Sequence, residues 1–365
     1  MARTKIKNTL TSIFSLVIAF AACTKKDAAT SSQQSRELRV LTWSEYFDDE
    51  VIKSFEEKNQ VKVIRDYFAS NEELLAKLKT NVESSSKGYD LILPSDYMVS
   101  TMISLGLLKK LDKDQLLVLQ NLDPKFQKPT YDPSLEYCVP FAWGTTGIAV
   151  NYGLAPELKG KEGISWKDLL ENPKYKGKVT MLSDVKENFQ VALLMIGKDW
   201  DNATEADIKA AFEYLKKTKK NLKVYTEDTR QALESNECAL CQAYSGDVLK
   251  VNNEKGAKGN VGYIYPKEGG TLWTDNFALP KNAVNVELAY KFINHMLNVE
   301  GAKKFTSTNF YPTTNIAVRE LLDPSLKDNP SVFPAESEFS RLKYIKDRPD
   351  LMGVIDKLWT ELRAM

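Results

Sequence analysis

The chain is short of the residues that most often carry metal or acid–base chemistry: its 365 residues include one histidine, His295, and four cysteines. A single imidazole excludes a multi-histidine metal centre, and any Ser-His-Asp or Cys-His device would have to use it. His295 falls within an amphipathic helix predicted over 286–297. It lies off the apolar stripe of Val286, Ala289, Tyr290, Ile293, Met296 and Leu297, and nothing nearby resembles a nucleophile elbow. No P-loop, G-x-G-x-x-G or HExxH motif occurs. An excess of one charge is also missing: fifty basic residues face forty-nine acidic ones, with no long like-charge block, which excludes a nucleic-acid partner. The mostly apolar stretch 10–22 is too short for a stable membrane span. There is no internal repeat and no heptad pattern.

What is present suits a binding protein. At 43% hydrophobic and 27% charged, the chain has ample material for a core, and its length predicts about two domains. Sixteen Tyr, fifteen Phe and six Trp leave aromatics to spare for a site. At the N-terminus, Arg3, Lys5 and Lys7 precede the apolar stretch, which ends at Ala21-Ala22-Cys23 and reads as an export signal. A cysteine directly after two small residues resembles a bacterial lipoprotein signal. That resemblance implies a signal peptide over 1–22 and a lipid on Cys23; plain secretion with a chance cysteine is the alternative. Residues 23–35 have little to pack and are predicted to form a flexible tether. Removing 1–22 deletes three positive charges and no negative ones, taking the net charge from +1 to about −2.

Cys238 and Cys241 form a CxxC within a strand-like run, not at a helix N-terminus where a redox thiolate is stabilised. A zinc site would lack its other ligands. The two are therefore expected to be buried and unpaired, and no metal or cofactor is expected.

Along the chain, strands are predicted over 38–42, 61–67 and 90–93, with helices over 48–58 and from the capping-box pattern Ser70-x-x-Glu73. This β-α-β-α-β series predicts a parallel sheet with helices on its faces. A loop-rich stretch, 123–137, leads to Pro140-Phe141-Ala142-Trp143-Gly144 and a strand over 147–152. The alternation then resumes, with strands over 179–182, 222–226, 238–244 and 261–265 and helices over 184–196 and 204–217. The tail from Glu320 reads as helix and loop with several prolines.

Two such series predict two doubly wound lobes, and ligands in such sheets sit beyond the carboxyl ends of the strands. Aromatics and acids recur there: Trp43, Ser44 and Tyr46 after the first strand, Ser95 and Tyr97 after the third, Asp184 and Glu187 after Leu182, Tyr244 and Asp247 after the CxxC strand. In the extended run after Gly269-Gly270, Trp273 and Asp275 stand at i and i+2 and so share a face. A ring beside a carboxylate suits an amine-bearing hydrocarbon; a core Trp beside a turn Asp fits the same pattern. Asp184-x-x-Glu187 also reads as an N-cap with its N3 acid, which does not exclude ligand contact. Two acids in one helix turn cannot flank a glycosidic bond. Helix N-termini at the strand ends are expected to keep these carboxylates ionised by lowering their pKa.

From about Val40 to the C-terminus the chain resembles the spermidine/putrescine-binding (PotD/PotF) family of bacterial ABC transporters. The resemblance rests on Trp43-Ser44-Glu45-Tyr46, Ser70-Asn71-Glu72-Glu73, Tyr89-Asp90-Leu91-Ile92-Leu93-Pro94-Ser95, Pro140 to Gly147, Pro266-Lys267-Glu268-Gly269-Gly270 and Tyr311-Pro312. It implies that Trp43, Ser44 and Tyr46, with Glu45 beside them, form one wall. Ser95 and Tyr97 would line the same lobe, Asp184 and Glu187 would hold one ammonium, Trp273 and Asp275 would grip the middle and an amine, and Tyr311 would add a further ring. Tyr244 stands where spermidine-type members carry Trp, while Asp247 fits the putrescine-type pattern. The spermidine-type glutamine of the C-terminal region has no counterpart near Tyr344, Ile345 and Lys346. The choice of polyamine stays open.

The expected fold is α/β, a two-lobed periplasmic-binding-protein type II architecture. Lobe 1 is expected over 36–143 and 275–320, and lobe 2 over 144–274 and 321–365, with crossings near 141–144 and 273–276. The expected function is that of an extracytoplasmic receptor for spermidine or putrescine. It would be monomeric, anchored to a membrane by lipid, and would deliver its ligand to an ABC permease. A same-fold receptor for another small solute, or an exported enzyme on this fold, are the alternatives.

Overall fold

In the computed structural model, residues 36–44, 46–83, 88–254 and 260–365 are described. The signal peptide, the tether and lipidation at Cys23 therefore lie outside the described residues. The strands, in chain order, are β1 (Arg36–Trp43), β2 (Val61–Phe68), β3 (Leu91–Ile92), β4 (Cys138–Asn151), β5 (Val179–Met181), β6 (Val224–Tyr225), β7 (Leu240–Tyr244), β8 (Val261–Ile264), β9 (Gly270–Ala278) and β10 (Leu342–Lys343).

β1 pairs in parallel with β2 and β3, and the helices Asp49–Asn59 and Asn71–Glu83 cross between them, as the sequence periodicity predicts. Asp48 caps the first of these helices by accepting from the Glu50 N–H, and the helix buries Val51, Ile52 and Phe55. β5 pairs in parallel with β6 and β7, forming a second wing. Between the wings lie β4 and β9, paired antiparallel, in the order β2-β1-β3-β9-β4-β7-β5-β6, with β10 on β9 and β8 on β4. The fold is thus two α/β wings joined by two long crossing strands.

β4 is longer than expected. The sequence predicts a strand over 147–152 after a separate extended piece, whereas the structure makes one buried strand of 14 residues. Its proline is accommodated where the register against β9 shifts, between Pro140 and Ala142. A bulge is one of the few places where a strand tolerates a residue without an N–H. β4 pairs with β9 over its first part and with β7 and β8 near its end. One strand therefore belongs to both wings.

The first wing packs on an aromatic core in which Phe141 meets Phe277 and Phe305, and Phe292 meets Phe47 and Phe55. The second packs Ile148, Trp166, Val179 and Leu240 together. The C-terminal helix Pro349–Ala364 lays Leu351, Ile355 and Leu362 against Phe189, Leu193, Phe212 and Leu215 of the second wing. By contrast, Leu322, Leu326 and Val332 pack on Ala302 and Val318.

Two expectations need correction here. Cys238 and Cys241 are not unpaired; they are joined by a disulfide, both wholly buried. The same spacing that a redox or zinc pair would use serves here as a structural bridge at the entry to β7. Secondly, Pro94-Ser95-Asp96-Tyr97 does not simply end a strand. Ser95 is the N-cap position of a helix, Asp96–Ser104, that the sequence reading missed, as it missed Ser245–Glu254 and Val299–Asn309.

Candidate functional site

The strand register places Asp275 opposite Ala142 and Trp273 opposite Gly144, so both side chains rise from the junction of the two wings. Asp275 is 5% exposed. It accepts hydrogen bonds from Tyr46 Oη at 2.6 Å and Ser95 Oγ at 2.7 Å. The Ser95 hydroxyl is used here and not as a helix cap, which explains why that helix lacks a side-chain cap bond. Burial pushes the Asp275 carboxyl up to about 6, against the Tyr46, Ser95 and Trp43 donors, which favour the ionised form. The Trp43 indole N–H is buried and makes no hydrogen bond of acceptable geometry, although it lies close enough to contribute. Among the described residues, no lysine or arginine forms an ion pair with Asp275.

Around this carboxylate stand rings. Trp273 meets Tyr311 with centroids 5.1 Å apart and Tyr244 at 6.0 Å, both edge-on. Its close approach to β4 requires glycine: a Cβ on Gly144 would lie 2.3 Å from the indole. Tyr311 Oη donates to Asp247 Oδ1 at 3.3 Å. Trp43 packs on Phe68 with centroids 4.3 Å apart. Trp273 and Asp275 stand at i and i+2 on β9 and so share one face of the strand.

The second acidic group begins the helix Val185–Met195. Asp184 is its N-cap and accepts from the Glu187 N–H at 2.9 Å, so the capping role is real. The Glu187 side chain does not complete a capping box. It turns inward, 5% exposed, and accepts from Thr146 Oγ1 at 2.7 Å and Thr271 Oγ1 at 2.8 Å. Those two threonines are register partners on β4 and β9. Burial and the neighbouring Asp184 raise the Glu187 carboxyl to about 8, and burial raises Asp184 as well. The expectation that helix N-termini lower these values is thereby overturned. A terminal dipole is a fraction of a charge, whereas removal from water penalises the whole one.

Several of the predicted residues lie within electrostatic reach of one another. Asp184 lies within reach of Tyr97, Glu187 and Tyr244, and the buried Asp96 lies within reach of both Asp275 and Lys186. Ser44 is exposed, and Glu45 lies outside the described residues. A cavity of about 140 Å³ adjoins Tyr97 and Asp96 and is closed by Tyr131 and Tyr344. A larger one, of about 230 Å³, is lined by Trp143, Arg319 and Phe333 and touches none of the predicted residues. Among the described residues, no group of three or more His, Cys, Asp or Glu is arranged to hold a metal ion. His295 is structural, with Nε2 3.1 Å from the Val51 carbonyl oxygen.

Sequence reasoning missed Thr146 and Thr271, whose roles follow only from the pairing of β4 with β9. It also missed Lys186. This lysine lies between the two acids in sequence, and its Nζ stands 3.0 Å from Glu72 and 3.7 Å from the centre of the Tyr97 ring.

Two crossing strands between α/β wings, with acids and rings at their junction, are the plan of a solute receptor. The chain belongs to the family of bacterial extracellular solute-binding proteins, which it matches over residues 50–334. It is 35% identical over 349 residues to spermidine/putrescine-binding periplasmic protein 1 of Haemophilus influenzae, spanning 94% of each chain. It is 30% identical to the putrescine-binding periplasmic protein PotF of Escherichia coli, over 92% of this chain and 93% of that one. Among solved structures, it resembles the spermidine/putrescine ABC transporter substrate-binding protein PotD of Streptococcus pneumoniae. The TM-score is 0.77 at 26% identity, covering 90% of this chain and 99% of the other. These relatives are named as solute-binding proteins, not enzymes, and the first two as periplasmic.

Proposed function

We propose that this protein is an extracytoplasmic polyamine receptor, without catalysis of its own, that carries spermidine or putrescine to an ABC permease. The observation that carries this reading is the pair Asp275 and Glu187. Each is buried, each is held by two hydroxyl donors, and neither is ion-paired among the described residues. A buried carboxylate is costly unless paired. A slim guest with an ammonium at each end supplies that pairing, and its methylenes suit the faces of Trp43, Tyr244 and Trp273. Ser44, Tyr46, Ser95, Tyr97, Asp184, Asp247 and Tyr311 complete the proposed contact set. The relatives' names, polyamine receptors of the periplasm, agree with this chemistry.

The lobes would be 36–143 with 275–320 and 144–274 with 321–365, hinged on β4 and β9. The strand order and the packing of the helix Pro349–Ala364 on the second wing support that division, whereas Leu322, Leu326 and Val332 pack on Ala302 and Val318 and move the last crossing beyond Val332. Anchoring through a lipid on Cys23, and function as a monomer, belong to the same reading. Calorimetric titration with spermidine, putrescine and the neutral 1,4-butanediol tests it. Both or either amine should bind and the diol should not; binding of neither amine, or equal binding of the diol, overturns the proposal.

A further inference from the structure

Lys186 is a cation where the proposed guest's cation should be. It is the second residue of the helix Val185–Met195, two positions after Asp184 and next to Glu187. Its side chain is only 6% exposed, although lysine ordinarily keeps its ammonium in water. The chain folds it inward across the junction of the wings, onto two residues of the first: Glu72, in the first turn of the helix Asn71–Glu83, and Tyr97, of the helix Asp96–Ser104. Tyr97 Oη in turn donates to Glu72 at 3.3 Å, so ring, carboxylate and ammonium form a closed triangle.

The charged groups that face the ammonium are acids. Glu72 and Tyr97 meet it directly, while Asp184, Asp96 and, from the C-terminal helix, Asp356 lie within electrostatic reach. Burial works to raise the Glu72 carboxyl, yet Lys186 overcomes this and holds it below its usual range. The triangle is therefore a satisfied ammonium seat. The lysine side chain, an ammonium on a four-carbon stem, has the same chemistry as one end of a polyamine.

We propose that Lys186 is a specificity-determining residue: it fills, with the protein's own ammonium, the seat on Tyr97 and Glu72 that a guest's further ammonium would take. This inference rests on the polyamine reading of the site. It restricts the guest to the seats at Asp275 and at Asp184 with Glu187, and so favours a diamine over a triamine. A third ammonium reaching toward Tyr97 meets a like charge at a few ångströms, a repulsion of about 1 kcal/mol in water and more in a buried site.

The test is the ratio of spermidine to putrescine dissociation constants in the wild type, Lys186→Met and Lys186→Arg, measured by calorimetry on the full mature chain. Methionine keeps much of the length and volume without the charge. The Met variant should lower the ratio about tenfold in favour of spermidine, and arginine should return it to near the wild-type value. Glu72→Gln removes the carboxylate that pairs with Lys186 at 3.0 Å and should move the ratio the opposite way. A ratio that stays within twofold in Lys186→Met, or both affinities falling together, overturns the specificity role and leaves a mere contact between wings. If Lys186→Met does not fold, an unchanged ratio in Glu72→Gln overturns it instead. Wild-type protein that binds neither amine sinks the receptor reading itself, an outcome distinct from an unchanged ratio.

Discussion

The two buried carboxylates look alike by exposure, each 5%, but they are held in different ways. Asp275 takes its donors, Tyr46 and Ser95, from the loop and helix start that follow β1 and β3, and among the described residues no cation pairs with it. Glu187 takes its donors from the crossing strands themselves, beside a second acid, Asp184. The same burial therefore yields different proton affinities: about 6 for Asp275 and about 8 for Glu187, where the Asp184 charge adds to desolvation. One seat is poised to accept a charge at neutral pH; the other must first give up a proton.

Removing one side of this comparison should have the largest effect. Asp275→Ala should weaken polyamine binding by at least about 2 kcal/mol, the size expected when a buried charge loses its partner. An unchanged titration would take Asp275 out of the site. Next in size is the dependence on pH. A guest cation binds the ionised carboxylates, so below their pKa values binding must expel protons. Wild-type affinity should rise by ~10-fold or more between pH 5.5 and 8.5, each proton released being worth up to tenfold per pH unit. Glu187→Gln should erase the upper step, near 8, and leave the lower. A flat profile in the wild type would show that neither carboxylate meets the guest.

The same residue bears on stability without ligand. The Glu187 carboxyl is raised from an unfolded value of about 4.3 to about 8. Its contribution is therefore fully present below about 4.3 and is lost as pH rises through about 8. Glu187→Gln should thus raise the ligand-free melting temperature at pH 9 by roughly 2 °C or more, with less change at pH 5. The opposite order would mean the carboxyl is not desolvated. Smallest is the ring. Trp273→Leu should cost about 0.5–2 kcal/mol of binding through lost cation–π attraction, read by the same titration.

Much of the framework was legible because it depends on local periodicity. The β-α-β-α-β opening, the helix burying Val51, Ile52 and Phe55, and the alternation that puts Trp273 and Asp275 on one face are all written in spacing. The clustering of acids and rings after strand ends was legible for the same reason. What was not legible depends on which strands become neighbours. Thr146 and Thr271 are 125 positions apart and acquire a role only when β4 lies against β9. Nothing in the spacing around Lys186 signals burial, and only the approach of Tyr97 and Glu72 makes it a buried charge. The pKa expectation failed likewise: a helix start can be read from sequence, but depth cannot.

Thr146 faces Thr271 as a rung of the ladder between the crossing strands, and both hydroxyls end on the oxygens of one carboxylate. Sliding β4 past β9 by a single residue would turn the Thr146 hydroxyl to the opposite side of the sheet, part it from Thr271 and leave Glu187 with one donor. The protonation of that one acid is therefore a gauge of alignment between the two crossing strands. Its carboxyl stretching band, followed by isotope-edited infrared spectroscopy, offers a way to watch the two halves of the receptor come into step.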